Sequence, residues 1–274
     1  MKKRWISLLC CLALAVSLLP ARCAASREVD LPVVMYHHIS PKPKLWGDYV
    51  ISPEQFERDL QYLSTQGYTA ITARQLIAWC DGEGELPEKP VMITFDDGYE
   101  STAVYAQPLL EKYGMTAVVA IIGAVAQQYT DQPDHMLDYS HMSWEQVEQM
   151  NAAGTFEIQC HTYDMHKLKP RQGCSSMSGE DMAAYTSALT QDVERFQTVM
   201  EARLGRRAEV LVLPFGFYCA NTIRAARQLG FRAVFTCTER VNHLTGAADE
   251  LMELCRFNRP SGPDSSAFFA KMTA

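Results

Sequence analysis

The sequence of 274 residues has no low-complexity tract, no internal repeat and no cysteine pair spaced C-x-x-C. With 47% hydrophobic residues and ordinary aromatic content, the first absence excludes a disordered chain. The second excludes a solenoid built from stacked repeats. The third argues against a zinc ion held by cysteines. Positive charge is also scarce. Residues 1–25 hold four basic residues (Lys2, Lys3, Arg4, Arg22) and no acidic ones. The remainder therefore carries 21 of the 25 Lys and Arg against all 32 Asp and Glu, a net of −11. That balance disfavours nucleic acid as a partner and tight nonspecific adhesion to an anionic surface. The apolar run from Trp5 to Leu19 is short of the roughly 20 residues a membrane-spanning helix needs.

What that N-terminal stretch does have is a basic start, the apolar run, and small residues near Ala24 and Ala25. This is the layout of a secretory signal peptide, with an uncleaved anchor as the alternative. Arg22 argues against lipoprotein cleavage before Cys23. Residues 26–274 are then expected to form a secreted or cell-surface domain with no membrane span after cleavage. Of nine cysteines, Cys10, Cys11 and Cys23 fall in the leader. Cys80, Cys160, Cys174, Cys219, Cys237 and Cys255 are widely and irregularly spaced. Export permits disulfides, but several of the six read as buried small hydrophobes.

Residues 26–274 alternate short apolar runs with helical patterns. "LPVVMYHHI", "PVMITF", "TAVVAII", "TFEIQC", "AEVLVLPF", "FRAVFTC" and a late "LMELCRF" read as strands. Helices are expected after Ser52, with Pro53 in the first turn, and over "TARQLIAWC", "AVYAQPLLEKYG", "SWEQVEQMNAAG", about 179–204 and "ANTIRAARQLG". "SSAFFAKM" closes the chain, and 127–141 and 172–179 read as loop excursions. Strand–helix alternation predicts a parallel sheet, either a barrel or an open wound sheet.

In such folds functional side chains gather beyond the carboxyl ends of the strands. "VMITFDDGYES" puts Asp96 and Asp97 at one such end, with Gly98 letting the backbone turn away. Adjacent carboxylates repel unless a cation or proton separates their roles, although a solvated turn capping the next helix is the plain alternative. "EIQCHTYDMHKL" places His161 at another strand end and His166 five residues on. Neither a helix nor a strand points two side chains so spaced the same way. The rings converge only if residues 162–165 form a turn. Two histidines and a carboxylate with an open position are a common zinc hydrolase ligand set. "LVLPFGFY" is a third strand end, where Pro214 and Gly216 force a sharp loop whose backbone N–H groups suit an oxyanion.

In this order and spacing, "TFDDG", "HTYDMH" and "LPFG" resemble the NodB-homology polysaccharide deacetylases, carbohydrate esterase family 4. The resemblance covers about 89–274, and "LPVVMYHHIS" and "ISPEQFERDLQYLSTQGYTAIT" look like the leading segment of many secreted members. It implies an α/β fold, a distorted (β/α) barrel of about seven parallel strands, and a divalent metal, commonly zinc. It implies Asp96 as catalytic base and Asp97, His161 and His166 as metal ligands, with Pro214 and Phe215 at the oxyanion and substrate. Many members space the two histidines four apart; the spacing of five is that of a subgroup resembling poly-N-acetylglucosamine deacetylases. Two departures stand out. Where many members carry an Arg steadying the base, this chain has Val212, leaving Arg256 or Arg259 as substitutes. The C-terminal histidine that serves many members as catalytic acid has no match; His37 or His38 is the best replacement and His243 a weaker one. The implied reaction removes N-acetyl groups from amino sugars of an extracellular or cell-wall polysaccharide. An O-acetyl esterase and a degenerate, non-catalytic carbohydrate-binding barrel are the alternatives.

Overall fold

The computed structural model describes residues 28–272; the stretch read as a signal peptide lies outside them. The strands are Val29–Leu31 (β1), Val33–Tyr36 (β2), His38–Ile39 (β3), Val50–Ile51 (β4), Thr69–Ala70 (β5), Pro90–Phe95 (β6), Ala117–Ile121 (β7), Phe156–Cys160 (β8), Val210–Val212 (β9), Ala233–Phe235 (β10), Asn242–Leu244 (β11) and Phe257–Asn258 (β12). The helices are Pro53–Thr65 (α1), Ala73–Cys80 (α2), Gln107–Tyr113 (α3), Gly123–Asp131 (α4), Trp144–Ala153 (α5), Met182–Leu204 (α6), Ala220–Gln228 (α7) and Ser265–Ala270 (α8). No helix among the described residues is long and apolar enough to cross a membrane.

Seven strands lie parallel in the order β10-β9-β8-β7-β6-β2-β12, and β5 adds to the start of β6. Because both faces are covered, the strands are apolar almost throughout, and all six residues of β6 are buried. Alternate residues divide between two cores. Val33, Met92, Val118, Ala120, Val210, Val212, Ala233 and Phe235 face inward together with Leu76, Ile77 and Trp79 of α2. Val34, Ile93, Phe95, Val119, Ile158, Leu211 and Val234 lie under the outer helices. Helix α2 therefore packs against the start of the barrel and leaves the carboxyl ends of the strands for polar groups.

The sheet closes through one stretch of chain. Leu254 bridges Phe235 of β10, and three residues later Phe257 and Asn258 pair with Val34 and Met35 of β2. Arg256 is carried inside between these two attachments, fully buried.

The structure corrects the sequence reading at several elements. Most of "LMELCRF" is not a strand: residues Ala248–Glu253 form a 3₁₀ helix. The turn is closed locally, Glu250 N–H donating to the Ala247 carbonyl at 3.0 Å, and it buries Leu251 and Met252. The expected loop from 127 is helical up to Asp131, and the following loop, 132–141, folds back on the site. "AVYAQPLLEKYG" divides into a π-helical turn, Thr102–Ala106, and α3, with Pro108 in the first turn of α3, where its missing N–H costs nothing, and Gly114 as a left-handed cap. Ser52, Thr72 and Ser143 each cap a helix through the backbone N–H three residues on. Cys160, Cys174, Cys219, Cys237 and Cys255 are free thiols, and Cys160, Cys174 and Cys255 are buried.

Candidate active site

Among the described residues only three non-glycine residues have positive φ: Asp97 (70°), Thr162 (67°) and Phe215 (57°). They follow β6, β8 and β9, three strand ends at the open mouth of the barrel. A left-handed conformation costs a side-chain-bearing residue on the order of 1–3 kcal/mol, most for a β-branched threonine, and such strain persists where the surroundings impose it. Gly98 is held by the same crowding: its φ is 77°, and a Cβ there would lie 2.9 Å from Ile121 Cγ2. The chain turns out of β6 so tightly that the adjacent aspartates point to different partners.

Asp96 points inward. Its Oδ1 accepts from Arg256 Nη1 at 2.7 Å and its Oδ2 from Arg256 Nη2 at 2.8 Å, a bidentate pair buried on both sides. Arg256 also donates to Thr94 Oγ1 at 3.2 Å and to the Thr236 carbonyl at 2.9 Å. Burial pushes the Asp96 carboxyl up, but the charges of Arg256 and His161 outweigh it and hold its pKa below the ordinary value. Of the two arginines the sequence offered near the base, Arg259 goes elsewhere. It clasps the fully buried Asp59 at 2.8 and 2.9 Å, where Tyr36 and Ser265 also donate.

Asp97 faces the cleft. Its Oδ1 is buried without a hydrogen bond and lies 3.4 Å from His161 Nε2 and 3.2 Å from His166 Nε2. One ligand atom from each of the three lies within 4.8 Å of the others. His161 Nδ1 is engaged by the Val212 carbonyl at 2.9 Å, which turns Nε2 toward Asp97. Burial raises the Asp97 carboxyl, yet the two imidazoles hold it well below the ordinary range. A buried carboxylate oxygen and two imidazole nitrogens converging on one point fit a divalent ion of the zinc type.

The turn that brings His166 round is pinned from two sides. The Tyr163 and Asp164 N–H groups donate to Asp192 on α6 at 2.8 and 2.7 Å. The Thr162 and Tyr163 carbonyls accept from Gly123 and Ala124 at the start of α4, at 3.1 and 2.7 Å. A Cβ at Gly123 would lie 2.6 Å from the Tyr163 ring.

The two histidines after β2 separate. His37 lies toward the carboxylates, with its Nδ1 buried and free of hydrogen bonds and its ring 4.9 Å from Tyr49. Burial lowers its pKa, against the opposing pull of Asp96 and Asp97. His38 is buried against Tyr99 and meets Ser101 Oγ through Nδ1 at 2.8 Å. His243 lies on β11, exposed and paired with Asp30 at 2.5 Å beside β1, away from this mouth. Pro214–Gly216 form a 3₁₀ turn in which Gly216 N–H donates to Leu213 and Phe217 N–H to Pro214, leaving Phe215 as the remaining N–H of the turn. The Phe215 ring lies 4.3 Å from that of His166.

Sequence reasoning passed over Tyr99, His141 and Asp192. Tyr99 and His141 form an antiparallel bridge and stack at 4.3 Å, and burial lowers His141 to about 4. The "DGYES" tyrosine was within sight of the motif; a lone histidine ending a loop, and an aspartate within a helix 31 residues from His161, carry no local signal.

A sequence profile described as polysaccharide deacetylase matches residues 83–234, more than half of the chain. The chain belongs to the polysaccharide deacetylase family. The Bacillus subtilis protein YxkH is 28% identical over 210 residues, 75% of this chain and 64% of its own. A Staphylococcus aureus poly-beta-1,6-N-acetyl-D-glucosamine N-deacetylase is 23% identical over 194 residues, 70% of this chain and 63% of its own. The chain thus spans a little under two thirds of the length of these curated relatives. The structure of IcaB from Ammonifex degensii superposes with a TM-score of 0.70 at 26% identity, covering 89% of this chain and 97% of that one.

Proposed function

We propose that this chain is a metal-dependent N-deacetylase of an amino-sugar polysaccharide, acting outside the cytoplasm. The observation that carries the reading is the division of labour between adjacent carboxylates. Asp97 faces His161 and His166, while Asp96 is turned onto Arg256. The signal-peptide layout of residues 1–25 supports the location. The name of the Staphylococcus aureus relative supports a β-linked N-acetylglucosamine polymer as the first substrate to try.

Asp97, His161 and His166 would hold the ion, zinc by their donor set. A divalent ion there supplies Lewis acidity and makes a strong nucleophile of water at neutral pH. Asp96, kept ionised by Arg256, takes the proton of the attacking water. The Phe215 N–H stabilises negative charge developing on the acetyl oxygen. His37, under the field of both carboxylates, gives a proton to the departing amine. His141, at about 4, is a poorer proton carrier near neutral pH. The products are acetate and a free amine on the sugar.

The test is acetate release from a β-1,6-linked N-acetylglucosamine pentamer, before chelation, after it, and after zinc is restored. Release that stops on chelation and returns with zinc is expected. Release that survives complete metal removal, or no release from fully metallated protein, overturns the reading.

A further inference from the structure

His37 and His38 are consecutive, and neighbouring side chains on an extended backbone point to opposite sides. His37 faces Asp96 and Asp97, while His38 is sent back under the chain and buried. Nothing hydrogen-bonds His37 Nδ1. Its place is set instead by the peptide groups around it. Before it, the Tyr36 carbonyl accepts from Asp96 N–H at 2.9 Å. After it, His38 N–H donates to the Tyr49 carbonyl at 3.1 Å. The next N–H, that of Ile39, donates to a side chain, Ser101 Oγ, at 3.2 Å.

Ser101 is fully buried and stands where the chain that carries the two aspartates enters the π-helical turn Thr102–Ala106. Its hydroxyl caps no helix. Having accepted from Ile39, it directs its own proton at His38 Nδ1, 2.8 Å away. Nδ1 is then an acceptor, and the ring carries its proton on Nε2. The His38 ring is also packed 4.7 Å from that of Tyr99, and burial lowers its pKa against the pull of Asp138, which keeps it neutral. One hydroxyl therefore ties residues 38 and 39 to the segment that holds the carboxylates. We propose that Ser101, acting with His38, is a positioning residue for His37: it touches no reacting atom, and it fixes the backbone that presents the His37 imidazole to the departing amine. The inference rests on the N-deacetylase reading, in which His37 is the proton donor, and adds what aims that donor.

The pair is read without turnover by ¹⁵N NMR of the zinc-loaded protein labelled at histidine. His38, identified by the signals lost in His38→Asn, should show a bare Nδ1 and a protonated Nε2, and Ser101→Ala should shift its Nδ1. A protonated Nδ1 in the wild type, or His38 signals indifferent to Ser101→Ala, overturns the proposal. Kinetics then read the role. In Ser101→Ala, kcat for the N-acetylglucosamine pentamer should fall about tenfold, with KM and bound zinc unchanged and 4-nitrophenyl acetate, whose leaving group needs little protonation, much less affected. His38→Leu should reproduce that selective loss. His38→Asn, whose amide oxygen can accept where Nδ1 does, should recover most of it. Equal losses on the two substrates, or a loss confined to KM, contradict the role. A double-mutant cycle closes the argument: in a His37→Ala background Ser101→Ala should cost the pentamer rate nothing further, and full additivity overturns action through His37. A wild type that releases no acetate would defeat the N-deacetylase reading, whereas the tautomer of His38 and its dependence on Ser101 stand or fall in the spectra alone.

Discussion

Arg256 makes four hydrogen bonds inside the barrel, two of them to Asp96, and no surface of either side chain is left for water to solvate well. Removing one partner of such a pair strands the other, at a cost of about 3–5 kcal/mol. Arg256→Met is therefore expected to lower stability by that amount in chemical denaturation. It also removes the charge that keeps Asp96 ionised, so the carboxyl should take up its proton at higher pH. The acidic limb of the pH–rate profile then moves upward; a limb that stays in place would show that Arg256 does not tune the base. For His37 the sign is opposite. Its pKa is lowered by burial, and as a proton donor it works only below that value. Turnover on the amide should fall as pH rises, while a phenyl acetate ester, whose leaving group needs little protonation, should be less affected. In His37→Ala the amide rate should drop by about 10²–10⁴-fold with metal content intact and the ester rate much less disturbed. Equal losses on both substrates would make His37 a positioning residue instead.

At the scale of elements, strand ends and caps were legible because they rest on local chemistry. "PVMITF" is β6 as read, and Ser52 and Ser143 cap the helices that their positions predict. The motifs at the strand ends were legible for the same reason. The turn between His161 and His166 was required by their spacing but not explained by it. What makes it is remote: Asp192 from α6 on one side and the first N–H groups of α4 on the other. The choice between Arg256 and Arg259 was likewise beyond the sequence. It depends on how residues 254–258 cross between the edges of the sheet, and a 3₁₀ helix stands where a strand was expected. Asp192→Ala tests the turn. Groups that orient ligands typically contribute 10–100-fold to metal affinity. Zinc affinity measured by chelator competition should fall by about that factor while α6 keeps its helical signal. Undiminished affinity would mean that the strained turn at Thr162 holds without Asp192.

At the scale of the whole molecule, the barrel is apolar along most of its interior and capped at one end by α2, so charge is concentrated at the other. The last stretch of chain then supplies two buried arginines, Arg256 to the carboxylate at the mouth and Arg259 to Asp59 among the outer helices. The residues that join the sheet edges thus also carry the guanidinium that clasps Asp96. Asp97, one residue along and turned the other way by its positive φ, faces His161 and His166. The most direct measurement compares Asp96→Asn and Asp97→Asn, each assayed for bound metal and for turnover. Asp97→Asn is expected to lose metal. Asp96→Asn is expected to keep stoichiometric metal and lose turnover by about 10²–10⁴-fold. Metal lost from the Asp96 variant and retained in the Asp97 variant would contradict the assignment.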